Sequence, residues 1–253
     1  MKRRALIAGN WKMHKSASEA TQLAGQIVTK SRGVDDRDVL LAPPFTAVQA
    51  VAEALAGAPI IVAGQNVCWE EQGAYTGEIS PLMLKELGAT AAIVGHSERR
   101  QIFGETNALI NQRLQGGLKF GLMMILCIGE TLDERESGQT LAVLDQQIKS
   151  AFAGVSMPAV AQVVVAYEPV WAIGTGKTAS TGQAQEAHAF IRDLVGQLYE
   201  KDIADNMRIL YGGSVKPANV DELMAQSDID GALVGGAALD AESFGRIINF
   251  KHG

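Results

Sequence analysis

The chain has 253 residues, 47% of them hydrophobic, and carries 22 Lys plus Arg against 28 Asp plus Glu. That much apolar material can bury a substantial core in one large or two small domains, and the acidic balance excludes a basic face for nucleic acid. The longest apolar run, Leu122 to Ile128, falls far short of the roughly 20 residues that cross a bilayer, so no membrane partner is expected.

At the start, Met1-Lys2-Arg3-Arg4-Ala5-Leu6-Ile7-Ala8 has basic residues before an apolar stretch. Gly9-Asn10-Trp11-Lys12 cuts that stretch too short for a signal peptide, and a cytosolic location is expected. Cys68 and Cys127 have neither CxxC spacing nor a nearby His pair, which argues against a disulfide framework or a zinc site.

Taken in chain order, eight short apolar runs read as strands: Ala5-Ala8, Val39-Ala42, Ile60-Ala63, Ala91-Val94, Met123-Cys127, Val163-Tyr167, Ile209-Tyr211 and Ala232-Val234. Turn residues follow each. Helical spacing fills the intervals, as in Leu141, Leu144, Ile148 and Phe152, or Phe190, Leu194 and Leu198. Strands alternating with amphipathic helices predict a parallel sheet covered by helices, and eight such units match a closed (β/α)8 barrel. A doubly wound open sheet has the same periodicity. The G-x-G-x-x-G dinucleotide fingerprint of that rival is missing after the first strand, which favours the barrel. With no linker or low-complexity stretch, residues 1–253 read as one domain.

In such a barrel the active site forms at the C-terminal ends of the strands. Asn10 and Lys12 follow the first run, His96 and Glu98 the fourth, and Glu168 the sixth, placing a cation, an imidazole and carboxylates around one mouth. Each has a bland reading: a solvated loop lysine, a histidine satisfied by backbone, a helix-capping acid. Their convergence without metal-ligand spacing favours chemistry that uses no metal or cofactor.

The segment from Pro169 through Gly174 to Ala179 combines rigid and glycine positions and reads as a lid that closes over a ligand. Gly176-Lys177-Thr178 is not a nucleotide P-loop, because Trp171 stands where that motif needs its first glycine. Gly212-Gly213-Ser214 and Gly235-Gly236 end the last two runs. Backbone N–H groups there, with Gly174 on the lid, suit a phosphate.

Gly9-Asn10-Trp11-Lys12, Gly95-His96-Ser97-Glu98, the run Ala166-Tyr167-Glu168-Pro169-Val170-Trp171-Ala172-Ile173-Gly174-Thr175-Gly176 and Asp230 to Gly236 together resemble the triosephosphate isomerase family nearly end to end. The resemblance implies a TIM barrel that interconverts dihydroxyacetone phosphate and D-glyceraldehyde 3-phosphate, a step of glycolysis and gluconeogenesis. It implies Glu168 as base, His96 as electrophile, Lys12 as positive charge and Glu98 as its helper. Asn10, Lys12, Gly174, Ser214, Gly235 and Gly236 would bind substrate. A homodimer is also implied, with Thr76 on the loop from Gln65-Asn66 to Gly77-Glu78 near the partner's site. Three positions depart from the usual pattern: His14, where Asn is common, Met124, where Pro is common, and Asn107, where Asp is frequent. His14 lies near the expected dimer loop.

Two other readings stay open on the residues alone. A Schiff-base aldolase or decarboxylase would need a lysine inside the barrel strands, and Lys12 stands just past the first. A catalytically dead scaffold would lose Lys12, His96 or Glu168, and all three are present.

Overall fold

A computed structural model describes residues 3–173 and 178–251. Its strands are β1 (Ala5–Asn10), β2 (Arg37–Ala42), β3 (Ile60–Gly64), β4 (Ala91–Val94), β5 (Met123–Ile128), β6 (Val163–Tyr167), β7 (Ile209–Tyr211) and β8 (Gly231–Val234). All pair in parallel in sequence order, and the sheet closes where Leu6 to Gly9 of β1 run in register with Gly231 to Val234 of β8. The open-sheet alternative is thereby excluded.

Both faces of each strand are buried, which is why the strands read as continuous apolar runs rather than alternating ones. Ile7, Leu41, Val94, Leu126, Val165 and Val234 face the surrounding helices. Leu6, Ala8, Leu40, Ala42, Ile125, Cys127, Val164 and Ala166 fill the interior. Within those interior pairs the larger residue comes first along the strand and the smaller one second. On these four strands the interior residues shrink towards the C-terminal mouth, while on β4 the order is reversed, Ala91 preceding Ile93.

Most helices begin at side-chain caps. Ser16 with Glu19, Thr131 with Glu134 and Ser180 with Gln183 form reciprocal capping boxes, each satisfying two otherwise unpaired backbone amides. The expected helical stripes are mostly inward: Leu144, Ile148, Phe152 and Leu194 are buried, and Phe190 packs against the core. Leu141 and Leu198 are corrected to exposed positions. They occupy the first and last turns of the helices Thr140–Phe152 and Thr181–Leu198, where a residue on the inward stripe by spacing stands at the helix end and stays exposed. Among the described residues no helix is long and apolar enough to cross a membrane.

The seam between β7 and β8 is short, with alignment at Tyr211 and Ala232, and Asp230 reinforces it. Its carboxylate accepts from the Ile209 amide at 2.9 Å and pairs with Arg192 at 2.6 Å and Arg3 at 2.5 Å. Arg192 also grips Asp228 at 2.6 Å and donates to the carbonyls of Ala204 and Met207. Burial would raise the Asp228 carboxyl, but hydrogen bonds from Gln185 and Arg192 and the Arg192 charge outweigh it and hold the group below its ordinary value. The stability Asp228 contributes is therefore present above about pH 4 and lost as pH falls below it. Replacing Arg192 by Met should leave Asp230 to Arg3 and the Ile209 amide and Asp228 to Gln185, and cost about 1–3 kcal/mol, read as a lower urea midpoint at neutral pH.

Candidate active site

Lys12 sits two residues past β1 with φ of 52°, a left-handed conformation that costs a non-glycine residue on the order of 1 kcal/mol. Its backbone is pinned on both sides. The Asn10 side-chain oxygen accepts the Lys12 N–H at 3.0 Å, and Gln65 donates to the Lys12 carbonyl at 2.8 Å and to Ala42 at 2.9 Å. This conformation sends the ammonium across the mouth to Glu98 at 2.6 Å and alongside Gly235.

His96 follows β4 as the N-cap of the short helix Ser97–Gln101. Its Nδ1 accepts the Glu98 backbone N–H at 3.2 Å, so the imidazole holds its proton on Nε2. That Nε2 lies 3.2 Å from Glu168 Oε1. The Ser97 amide donates to Glu168 Oε2 at 2.9 Å, so both carboxylate oxygens are held from the β4 side.

Glu168, only 2% exposed, follows β6 and fits a slot that side chains would close. A Cβ on Gly129 would lie 1.7 Å from the Glu168 carbonyl oxygen, and one on Gly212 would lie 2.8 Å from its Cγ. Burial and the nearby Glu168 charge push the Cys127 thiol well above its ordinary range, so Cys127 stays a neutral neighbour rather than a nucleophile.

Lys12, His96 and Glu168 line one cavity of about 470 Å³ together with Ser214, Gly235 and Gly236. The Cβ direction of Gly236 is open for 4 Å, room for a ligand close to the backbone. A larger cavity of about 590 Å³ opens at the opposite end, around Arg3, Arg4 and Asp230. Its principal charges already pair with each other at the β7–β8 seam and Arg4 with Asp38, and no base and electrophile meet there.

The triosephosphate isomerase family model matches residues 5–251. The chain belongs to the triosephosphate isomerase family. It is 54% identical to the triosephosphate isomerase of Syntrophotalea carbinolica over 249 residues, 98% of this chain and 99% of that protein. Identity is 53% with that of Trichlorobacter lovleyi over 98% and 99% of the two chains, and 50% with that of a Thermoanaerobacter species over 98% and 100%. Family membership thus spans every strand that feeds the cavity.

Within this triosephosphate isomerase barrel, the sequence-picked residues fall in different places. Glu168, His96 and Lys12 converge with Ser214, Gly235 and Gly236, Asn10 stands behind Lys12, and Glu98 sits at the rim as its ion-pair partner. Thr76 is exposed on the loop after β3 and is not among the residues that line this cavity. Gly174 lies outside the described residues.

Sequence reading overlooked Glu130, although it follows β5 at a strand end as the flagged residues follow theirs. Fully buried, its Oε1 accepts from Tyr167 at 3.1 Å and Trp171 at 2.9 Å and pairs with Arg135 at 3.1 Å. Burial, then the Glu130 charge, push the Tyr167 hydroxyl well up, so it remains a donor. Glu130 therefore fastens the segment after β6, its carboxylate holding Trp171 and its carbonyl the Val170 amide. Replacing Gly212 by Ala should move Glu168 by about 1 Å and lower kcat/KM on the order of 10²-fold while leaving the circular dichroism spectrum unchanged.

Proposed function

We propose that the chain interconverts dihydroxyacetone phosphate and D-glyceraldehyde 3-phosphate by proton transfer through an enediolate. The observation that carries this is the buried Glu168 carboxylate 3.2 Å from His96 Nε2, in one cavity with Lys12 and the Ser214, Gly235 and Gly236 backbone. Removing a proton beside a carbonyl builds negative charge on its oxygen, so a base is useful only if a donor and a positive field wait at that oxygen. His96 Nε2 is that donor and Lys12 that field.

In the described state Glu168 occupies the donors of His96 and Ser97. A bound substrate would offer its own oxygens to His96, which releases Glu168 to take the proton from one carbon and return it to the adjacent one. Asn10 and Lys12 would orient the oxygens, and Ser214, Gly235, Gly236 and, on the lid, Gly174 would receive the phosphate. Glu98 acts through its neighbours: its amide fixes the His96 tautomer and its carboxylate holds Lys12 in the mouth. No metal or cofactor takes part in this scheme.

The reading extends to a single-domain homodimer in the cytosol. Met13 is 93% exposed, Ile102 71% and Phe103 66%, all on segments following β1 and β4 at the mouth end, where Tyr75 beside Thr76 is also exposed. Large apolar side chains left in water at one end suit a second copy. Buried, free Cys68 and Cys127 suit a reducing compartment.

A coupled assay with D-glyceraldehyde 3-phosphate, without metal or nucleotide, should give rapid isomerisation that Glu168→Gln abolishes. Glu168→Asp, one methylene shorter, should lose on the order of 10²-fold. An active Glu168→Gln would remove that residue as base. Phe103→Asp should halve the mass seen by light scattering and reduce activity with it; an unchanged mass would remove this face from the interface.

A further inference from the structure

Past the end of β4, strand β5 loses its neighbour on that side. The β4–β5 register stops at Val94 with Leu126, and Gly95 turns away with φ of 71°, while β5 runs on beside β6 as far as Ile128 with Tyr167. This overhang supports the base. The Glu168 amide donates to the Ile128 carbonyl at 2.7 Å and the Val170 amide to the Glu130 carbonyl at 3.0 Å. Gly129 stands between those two bonds, and its own N–H and carbonyl take part in neither.

Gln147 takes both of them. From the helix Thr140–Phe152, its Oε1 accepts the Gly129 N–H at 2.8 Å and its Nε2 donates to the Gly129 carbonyl at 3.1 Å. A primary amide carries the same donor and acceptor pair as a peptide, so this side chain does for Gly129 what a neighbouring strand does elsewhere in the barrel. Gly129 is buried, and its polar groups therefore depend on that one half-buried side chain.

Close contact carries the position of Gly129 to the base. A Cβ on Gly129 would fall 1.7 Å from the Glu168 carbonyl oxygen and 2.6 Å from the carbonyl carbon, so the Glu168 backbone rests directly on Gly129. A shift of this strand end moves Glu168 with it. Ser214, Gly235 and Gly236, which would receive the phosphate, lie after β7 and β8 and make no hydrogen bond to Gln147 among the described residues.

We infer that Gln147 is a positioning residue for the proton transfer: its side-chain amide holds the end of β5 under Glu168 and so sets how closely the Glu168 carboxylate meets the carbon it deprotonates. This rests on Glu168 being the base.

Gln147→Met removes both hydrogen bonds while keeping the length of the side chain and its suitability for a helix. In the coupled assay with D-glyceraldehyde 3-phosphate, the variant should lower kcat about tenfold, the cost of displacing a base by about half an ångström, and leave KM within about twofold. The same substitution made in Glu168→Asp, whose carboxylate is already set back, should cost less than about threefold, because both changes act on one position.

A wild-type kcat in Gln147→Met would overturn the proposal, and so would a rise in KM alone. An equal tenfold loss in both backgrounds would overturn it as well, since a smaller folded fraction or an effect elsewhere multiplies through unchanged. Failure of Glu168 as the base would show separately, as activity retained in Glu168→Gln.

Discussion

An ionised carboxylate can be kept out of water only if donors replace the water it loses, and Glu168 meets that condition with one backbone amide and one imidazole N–H. Both donors come from the segment after β4, while Glu168 itself follows β6. The pairing therefore spans β5, and it requires neighbouring strands to end at matched heights around the mouth. Barrel closure fixes those heights, because each parallel register sets the next. On β1, β2 and β5 the interior side chains shrink from Leu6, Leu40 and Ile125 to Ala8, Ala42 and Cys127, which leaves room at the same end.

The groups around Glu168 are arranged so that few of them act alone. Glu98 sets the His96 tautomer with its amide and anchors Lys12 with its carboxylate. Lys12 reaches that carboxylate through a backbone conformation that Asn10 and Gln65 hold in place. Glu130 gathers Tyr167, Trp171 and Arg135 at the strand end next to Glu168, which couples the segment after β6 to the residue preceding Glu168. The strain at Lys12 and the burial at Glu168 and Glu130 are costs concentrated at the mouth, offset by the densely packed barrel beneath it.

All eight strands were legible because a parallel barrel buries both strand faces and leaves an unbroken apolar run. The site was legible where a polar residue directly follows such a run, as at Asn10, His96 and Glu168. Glu130 carried the same signal and was passed over, since Gly129-Glu130-Thr131 reads equally well as a turn leading into a capped helix, and Thr131 with Glu134 does cap one. Leu141 and Leu198 fit the helical stripe by spacing yet lie exposed, because spacing identifies a face without saying where the facing layer ends.

By itself the sequence determined the alternation of strand and helix, the residue types at each strand end and the resemblance that joins them, since these depend on local periodicity and on chemistry at fixed positions. Tertiary structure decided what those residues touch. That Gln147 grips the Gly129 peptide, that Gly129 and Gly212 make the slot for Glu168, and that Asp230 closes the β7–β8 seam all follow from contacts between separate segments of the chain. Charge balance and close approach depend on distances of a few ångströms, and those exist only once the barrel has closed.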